Sequence, residues 1–158
     1  MRKLIFLFTL ACYAQEAAPP AAVIGVWGYT ETRATQYQNR ATGSFARPSG
    51  SSVKMEIYGD GSFKDSGLIQ QSMYNCTSTI FITRAGHVTF EGNAVVFHYE
   101  GGHVSSKDNC NARFNYEKGA APEVRRFDAW TIRDSANGQQ LLLATGGQVK
   151  FVYTRSRE

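Results

Sequence analysis

Apolar and polar residues alternate with a period of two along most of the chain. Residues 26–33 and 53–58 show the pattern most clearly, and in the second range charged residues separate Val53, Met55 and Ile57. A period of two predicts β-strands that turn one face to a core and the other to water. No stretch shows the period that is typical of an amphipathic helix. The pattern therefore predicts an all-β chain.

Short turn sequences divide these strand patterns. Asp60-Gly61, inside the stretch YGDGSF, and Gly92-Asn93 each lie between two strand-like runs. Two-residue centres of this type favour the tight turns of β-hairpins. YGDGSF does not fit a phosphate-binding loop, because Lys64 is followed by Asp65 and no helical pattern comes after it. A calcium loop is also disfavoured, because oxygen ligands do not continue over about a dozen residues.

Two tracts interrupt the alternation. Residues 34–52 are predicted to be a long loop between the first two strands, and residues 100–122 a second irregular tract. Residues 84–86 are predicted to form a turn. The remaining runs make about eight strands, and a meander of that size hides its edges best by closing on itself. The predicted fold is an antiparallel up-and-down barrel of about eight strands.

The first residues, MRKLIFLFTLACYAQ, predict export. Two cations, an apolar run and then small residues are typical of a secretory signal peptide. We expect residues 1–14 to be the signal peptide, 15–22 a flexible leader and 23–156 a single domain. An alternative is a lipid anchor at Cys12, although Thr9 stands where a lipobox normally has an aliphatic residue. The apolar run is too short for a transmembrane helix, and no other transmembrane segment is predicted.

The charge of the chain does not indicate a nucleic-acid partner. The chain has 17 Lys and Arg against 13 Asp and Glu. Two of the cations lie in the predicted signal peptide, which leaves 15 against 13 and a net charge of +2. Arg125-Arg126 is the one adjacent basic pair outside the signal peptide. No DNA-binding or RNA-binding surface is therefore predicted.

The cysteines support export. Without Cys12 the chain keeps an even pair, Cys76 and Cys110, and we expect these two to form a disulfide in a periplasmic or extracellular compartment. The alternative is a metal site that combines the two thiolates with His98 and His103. No C-x-x-C or H-x-x-x-H spacing supports that site.

Several stretches resemble the lipocalins and the wider calycin group. GVWG at residues 25–28 is similar to the G-x-W signature of the first lipocalin strand, and KFVYTR ends in Arg155, where calycins commonly place a basic residue that stacks on that tryptophan. The hairpin sequences MEIYGDGSFK and GHVTFEGNAVVFH resemble those of small secreted bacterial lipocalin-like domains. The resemblance implies a barrel that binds a small ligand, with Trp27 and Arg155 in structural roles. The chain differs from classical lipocalins in lacking a T-D-Y motif and a C-terminal helix.

One face of each strand supplies the candidate ligand site. An eight-stranded barrel can hold one small apolar or amphipathic ligand, or its own side chains can fill the interior. In the second case the domain would act through its surface, as an envelope interaction or inhibitor domain. The expected ligand-binding residues are Met55, Ile57, Phe90, Phe97, Tyr99, Trp130, Phe151 and Tyr153.

No residue pattern predicts an enzyme or a cofactor. A G-x-S-x-G nucleophile motif is absent. The carboxylates of Glu56 and Asp65 could in principle flank a glycosidic bond, but on two arms of a hairpin such acids are more often solvated. A zinc or copper site would have to combine residues whose spacing is not diagnostic: His98, Glu100, His103 and Asp108.

Overall fold

The chain folds as one antiparallel sheet, which confirms the all-β prediction. A computed structural model describes residues 18–33 and 38–156, so the predicted signal peptide, its cleavage site and Cys12 lie outside the described residues. The sheet has ten strands where about eight were predicted. They are β1 (Gly25–Arg33), β2 (Ser49–Ile57), β3 (Ser62–Met73), β4 (Cys76–Glu91), β5 (Ala94–Asp108), β6 (Tyr116–Ala120), β7 (Glu123–Phe127), β8 (Ala129–Ser135), β9 (Gly138–Thr145) and β10 (Gln148–Arg155).

The strands follow an up-and-down order. Neighbours in the sheet run β6-β5-β4-β3-β2-β1-β10-β9-β8, and β7 pairs with β5 beside β6. Within the described part of the chain, no strand pair joins β8 to β5, β6 or β7, so closure into a barrel stays a prediction. The two ends of this order do approach each other, because the N–H of Trp130 in β8 donates to the carbonyl of Asn93 at 3.2 Å.

Two predicted interruptions are strands instead. The turn expected at residues 84–86 is wrong, because β4 runs through it. The irregular tract expected at 100–122 is wrong for the residues of β5 and β6, and only 109–115 and 121–122 lie between strands. The glycines there permit a close approach of paired backbones. A Cβ on Gly86 would lie 1.9 Å from the carbonyl oxygen of His98, beside a register shift in the β4–β5 pair. The predicted loop at 34–52 is also too long, since β2 begins at Ser49.

The two faces of the sheet differ in character. We call the face that carries Met55 and Ile57 the inner face and the face that carries Lys54 and Glu56 the outer face. Apolar side chains of the inner face form the core, to which every strand except β6 and β8 contributes buried residues; β8 packs the partly buried Trp130 and Ile132 against it. The buried core residues are Val23, Trp27, Met55, Ile57, Phe63, Val88, Val95, Phe97, Tyr99, Phe127, Leu141, Leu143 and Tyr153.

Trp27 and Arg155 cover one end of this core. Trp27 is fully buried, and its indole Nε1 donates to the carbonyl of Val23 at 2.7 Å. The guanidinium of Arg155 lies 4.5 Å from the centre of the Trp27 ring and donates to the carbonyl of Ile24 at 3.0 Å. The cation, the ring and the backbone are thus held together at this end.

A disulfide fastens the opposite end of the sheet. The predicted bridge between Cys76 and Cys110 is confirmed, and it joins the start of β4 to the connection that follows β5. The N–H of Asn109 donates to the carbonyl of Thr77 at 3.2 Å beside it. A disulfide is consistent with an oxidising compartment. In the described ranges, no helix has the length and apolar character needed to cross a membrane.

Candidate functional site

Most of the predicted ligand-binding residues pack against one another. The Phe63 ring meets the rings of Phe97 and Tyr99 edge to face, with centroids 5.1 and 5.0 Å apart. These contacts fill the middle of the core. The ligand-binding role predicted for the core residues stays a prediction. Met55, Ile57, Phe97, Tyr99 and Tyr153 are buried, Phe90 and Trp130 are half-buried against them, and Phe151 is partly exposed beside the rings of Phe127 and Tyr153.

A cluster of ion pairs lies on the inner face next to these rings. Arg84 Nη2 lies 2.9 Å from Asp65 Oδ2, and its Nη1 lies 3.0 Å from Glu123 Oε2. Arg125 Nη2 lies 2.9 Å from the other oxygen of Glu123. Tyr99 donates its hydroxyl hydrogen to Asp65 Oδ2 at 3.3 Å. We call these five residues the inner ionic cluster.

Strand register places the cluster on the core side of the sheet. Met55 of β2 lies opposite Asp65 of β3, and Asp65 lies opposite Arg84 of β4. Directly paired residues share a face, so the carboxylate and the guanidinium point to the same side as Met55. The side chains of Asp65 and Arg84 are only 13% and 16% exposed. Two charges are therefore held where apolar residues would be expected.

Burial, hydrogen bonds and charge shift the pKa values of Tyr99 and Glu123 within the cluster and of Tyr153 beside it. Burial, with the negative charge of Asp65, raises the pKa of Tyr99 to about 12. Burial raises the pKa of Tyr153 as well, and the charge of Asp65 acts in the same direction. Hydrogen bonds from Arg125 lower the pKa of Glu123. Both tyrosines therefore keep their hydroxyl hydrogens at neutral pH and can donate.

One N–H donor of Arg84 is not used by the described residues. Its guanidinium carbon lies 3.9 Å from the centre of the Tyr99 ring, which stacks the two groups. Its Nε is buried and has no hydrogen-bond acceptor among residues 18–33 and 38–156. A buried donor without an acceptor is costly, and an acceptor atom of a bound molecule would remove that cost. With two arginines and two carboxylates, the cluster has no net charge.

An aliphatic strip continues from the cluster along the inner face. Across the strands, Val53 lies opposite Gly67, Gly67 opposite Ile82, and Ile82 opposite Val104. Ile69, one inner-face position further along β3, is 49% exposed. A Cβ on Gly67 would have Val53 Cγ2 as its nearest neighbour at 3.9 Å, so this position accepts a Cβ at ordinary van der Waals distance. Polar and apolar groups thus adjoin on one open surface.

The chain has no match among known proteins in three comparisons. No family model matches it. Neither the curated proteins nor the solved structures give a significant match. The resemblance to lipocalins is therefore carried by the sequence motifs alone.

A concavity of about 670 Å³ lies on the outer face. Small residues of β3, β4 and β5 line it together with Asp65 and Arg84, and longer side chains stand around it, including Lys54, Glu56, Lys64, Glu100 and His103. Lys54 and Glu56 form an ion pair at 2.6 Å. Charges of both signs therefore surround this groove, and nothing in it selects one class of ligand.

Other candidate constellations do not come together. Glu56 is on the outer face and Asp65 on the inner face, so these carboxylates do not flank a common site. Asp108 is engaged by Ser78 and by the N–H groups of Cys110 and Asn111. In the described parts of the chain, no group of three or more His, Cys, Asp or Glu residues is arranged to hold a metal ion.

Proposed function

We propose that the protein is an exported, lipocalin-like binding protein that holds a small amphipathic molecule on its inner face. The polar group of the molecule would lie at the inner ionic cluster, and its apolar part would cover the aliphatic strip. The observation that carries this proposal is the position of the Asp65–Arg84 pair, which is nearly buried yet borders an open apolar surface.

Energetics favour a binding role for the cluster over a purely structural one. Charged side chains lose hydration when they are buried, and replacing such a pair by apolar residues is often neutral or stabilising. The unpaired Nε of Arg84 adds a further cost. Ligand sites combine mostly apolar walls with a few placed polar groups, and the inner ionic cluster with its strip has that composition.

The filled aromatic core narrows the proposal. The rings of Phe63, Phe97 and Tyr99 occupy the middle of the inner face, so the ligand is expected beside the core rather than within it. The same packing is the observation that favours the second candidate. In that case a filled domain acts only through its surface, as an interaction or inhibitor domain.

A binding assay with a space-filling variant tests the proposal. A dansyl-labelled fatty acid serves as the probe, because it combines an apolar chain with an acceptor carboxylate. Gly67→Val adds two methyl groups to the strip at a position where the Cβ itself is accommodated at ordinary contact distances. We expect roughly tenfold weaker probe binding for Gly67→Val, with the melting temperature unchanged or raised.

The matched control is Ser66→Val, which adds the same side chain to the outer face one residue away. It should leave probe binding unchanged. Equal binding by the wild type and both variants would contradict the inner-face site. Loss of binding in Ser66→Val alone would move the site to the outer groove, which Ser66 lines.

A further inference from the structure

Four connections leave the sheet at its disulfide end: the links from β1 to β2, from β3 to β4, from β5 to β6 and from β9 to β10. We call the described residues of the first three links, together with Met73 at the end of β3, the tip; it comprises residues 38–48, 73–75 and 109–115. The tip lies at the end of the sheet opposite Trp27 and Arg155, and it contains no residue of the inner ionic cluster.

Specific bonds hold the three parts of the tip together. Gln70 Nε2 donates to the carbonyl of Pro48 at 2.8 Å, which ties the first link to β3. The disulfide joins Cys76 to Cys110, and Asn109 Nδ2 donates to the carbonyl of Asn75 at 3.1 Å. The second and third links are therefore fixed to each other. Strands β2 and β5 are three strand spacings apart, about 15 Å, so the whole tip is compact.

Large apolar side chains project from every part of the tip. Phe45 is 68% exposed, Met73 51% and Phe114 57%. Tyr74 is also exposed in the second link. Single exposed apolar residues are ordinary on protein surfaces, but three links that each present one at the same end form a patch. Such a patch is expected to bind something apolar.

Positive charge predominates at the tip. Arg40, Arg47 and Arg113 are all exposed, and the three ranges contain no Asp or Glu. The carboxylate of Asp108 adjoins the third link, where it accepts from the N–H groups of Cys110 and Asn111. Across the described residues, none of these arginines takes part in an ion pair. By contrast, Arg84 and Arg126 elsewhere on the sheet each face a carboxylate. The tip is therefore a local positive surface on a chain of small net charge.

We propose that the tip docks on the surface of an anionic lipid bilayer. Aromatic and aliphatic side chains enter the boundary between head groups and hydrocarbon, while arginines contact anionic head groups. An anionic polymer such as a polysaccharide or a nucleic acid would use the arginines, but it would offer no hydrocarbon for Phe45, Met73 and Phe114. The combination of charge and exposed apolar groups therefore favours the lipid surface.

Sedimentation with vesicles tests this proposal. The protein is purified from cells that export it and is mixed with phosphatidylcholine vesicles that contain or lack phosphatidylglycerol. We expect binding to the anionic vesicles only, with a loss of affinity as salt is raised. Phe114→Ser and Phe45→Ser should each lower the partition coefficient roughly tenfold. The double variant Arg47→Glu with Arg113→Glu should lower it roughly tenfold or more.

Matched controls carry the same changes at exposed positions of β7 and β8, away from the tip. They are Val124→Ser, at a residue 66% exposed, and Arg133→Glu. Both should bind like the wild type, and because every variant keeps the same N-terminus, differences among them report the tip. The proposal is overturned if neutral vesicles bind equally well or if the controls lose as much binding. It is also overturned if the phenylalanine variants keep full binding while an anionic polymer competes with the vesicles.

Discussion

Asp65 and Arg84 set what the inner face can do. They lie opposite each other on β3 and β4, among residues that otherwise form a core. Asp65 accepts hydrogen bonds from both Arg84 and Tyr99, so its charge affects an ion pair and a phenol together. Tyr99 then becomes a measurable reporter of the cluster.

The stability of the protein is expected to fall at high pH because of Tyr99. Its pKa is raised from 10.0 to about 12, so the unfolded chain releases the phenolic proton before the folded chain does. The contribution is complete below pH 10 and is lost as pH rises to about 12, at roughly 1.4 kcal/mol per pH unit. Denaturant unfolding across this range measures it. Tyr99→Phe should reduce the slope and leave the part that comes from Tyr153, whose pKa is also raised. An unchanged slope in Tyr99→Phe would contradict the assignment.

Arg155 is expected to stabilise the fold by its contacts with Trp27 and the backbone. Arg155→Met keeps much of the apolar stem but removes the cation over the ring and the hydrogen bond to Ile24. The free energy of unfolding should fall by about 2–4 kcal/mol. Arg133→Met, at an exposed position of β8, is the matched control and should change it by less than about 0.5 kcal/mol. Similar effects of the two changes would show that the stacking contributes little.

At the scale of single residues, the sequence predicted the positions of core residues better than the positions of charged residues. The alternation placed Met55, Phe97 and Tyr153 on one face, and all three are buried. The same alternation puts Asp65 on the face of Phe63, although an acid on a hairpin arm is more often solvated. Partners from distant strands, such as Glu123, cannot be found without the register.

Strands β4 and β5 pair closely at glycines that lie where the sequence pattern predicted a turn or an irregular tract. A Cβ on Gly86 would meet the His98 carbonyl oxygen at 1.9 Å, whereas a Cβ on Gly67 would have no neighbour nearer than 3.9 Å. Gly86→Ala should therefore lower the free energy of unfolding by about 3 kcal/mol or more. Gly67→Ala should be neutral or slightly stabilising. Equal effects of the two changes in denaturant unfolding would contradict the close pairing at Gly86.

The disulfide is expected to stabilise the end of the sheet that carries the tip. Cys76 and Cys110 are separated by 34 positions. Closing a loop of this length lowers the entropy of the unfolded chain and raises its free energy by about 3–4 kcal/mol. The double variant Cys76→Ser with Cys110→Ser should lose about that much in denaturant unfolding. Loss of less than about 1 kcal/mol would show that the remaining hydrogen bonds, such as that from Asn109 to Thr77, hold this end without the bridge.

Elements were predictable where turn chemistry was local. Asp60-Gly61 forms the predicted hairpin, with Asp60 Oδ1 accepting from the N–H of Ser62 at 2.9 Å. The turn at Gly92-Asn93 is also present between β4 and β5. The strands within residues 100–122 were not predicted from the sequence because their residues are small and polar. Their pairing is decided by neighbours in β4 and β6, which the local sequence does not show.

As a whole, the molecule separates a filled core from two open surfaces. Trp27 and Arg155 cover one end of the core, and the inner ionic cluster borders an aliphatic strip along the inner face. The tip lies beyond that strip at the disulfide end. Under the two proposals, the membrane contacts the tip and the amphipathic ligand lies on the inner face near the same end. The membrane is then a nearby source of lipid-like ligands.

Native mass spectrometry of the protein tests the central claim most directly. The wild type, Gly67→Val and Ser66→Val are purified in parallel from cells that export them and are compared as intact complexes. The account predicts an additional bound mass of a few hundred daltons in the wild type and in Ser66→Val, and its absence in Gly67→Val. Bare protein in all three samples, or a bound mass that Gly67→Val retains in full, would contradict a ligand site on the inner face.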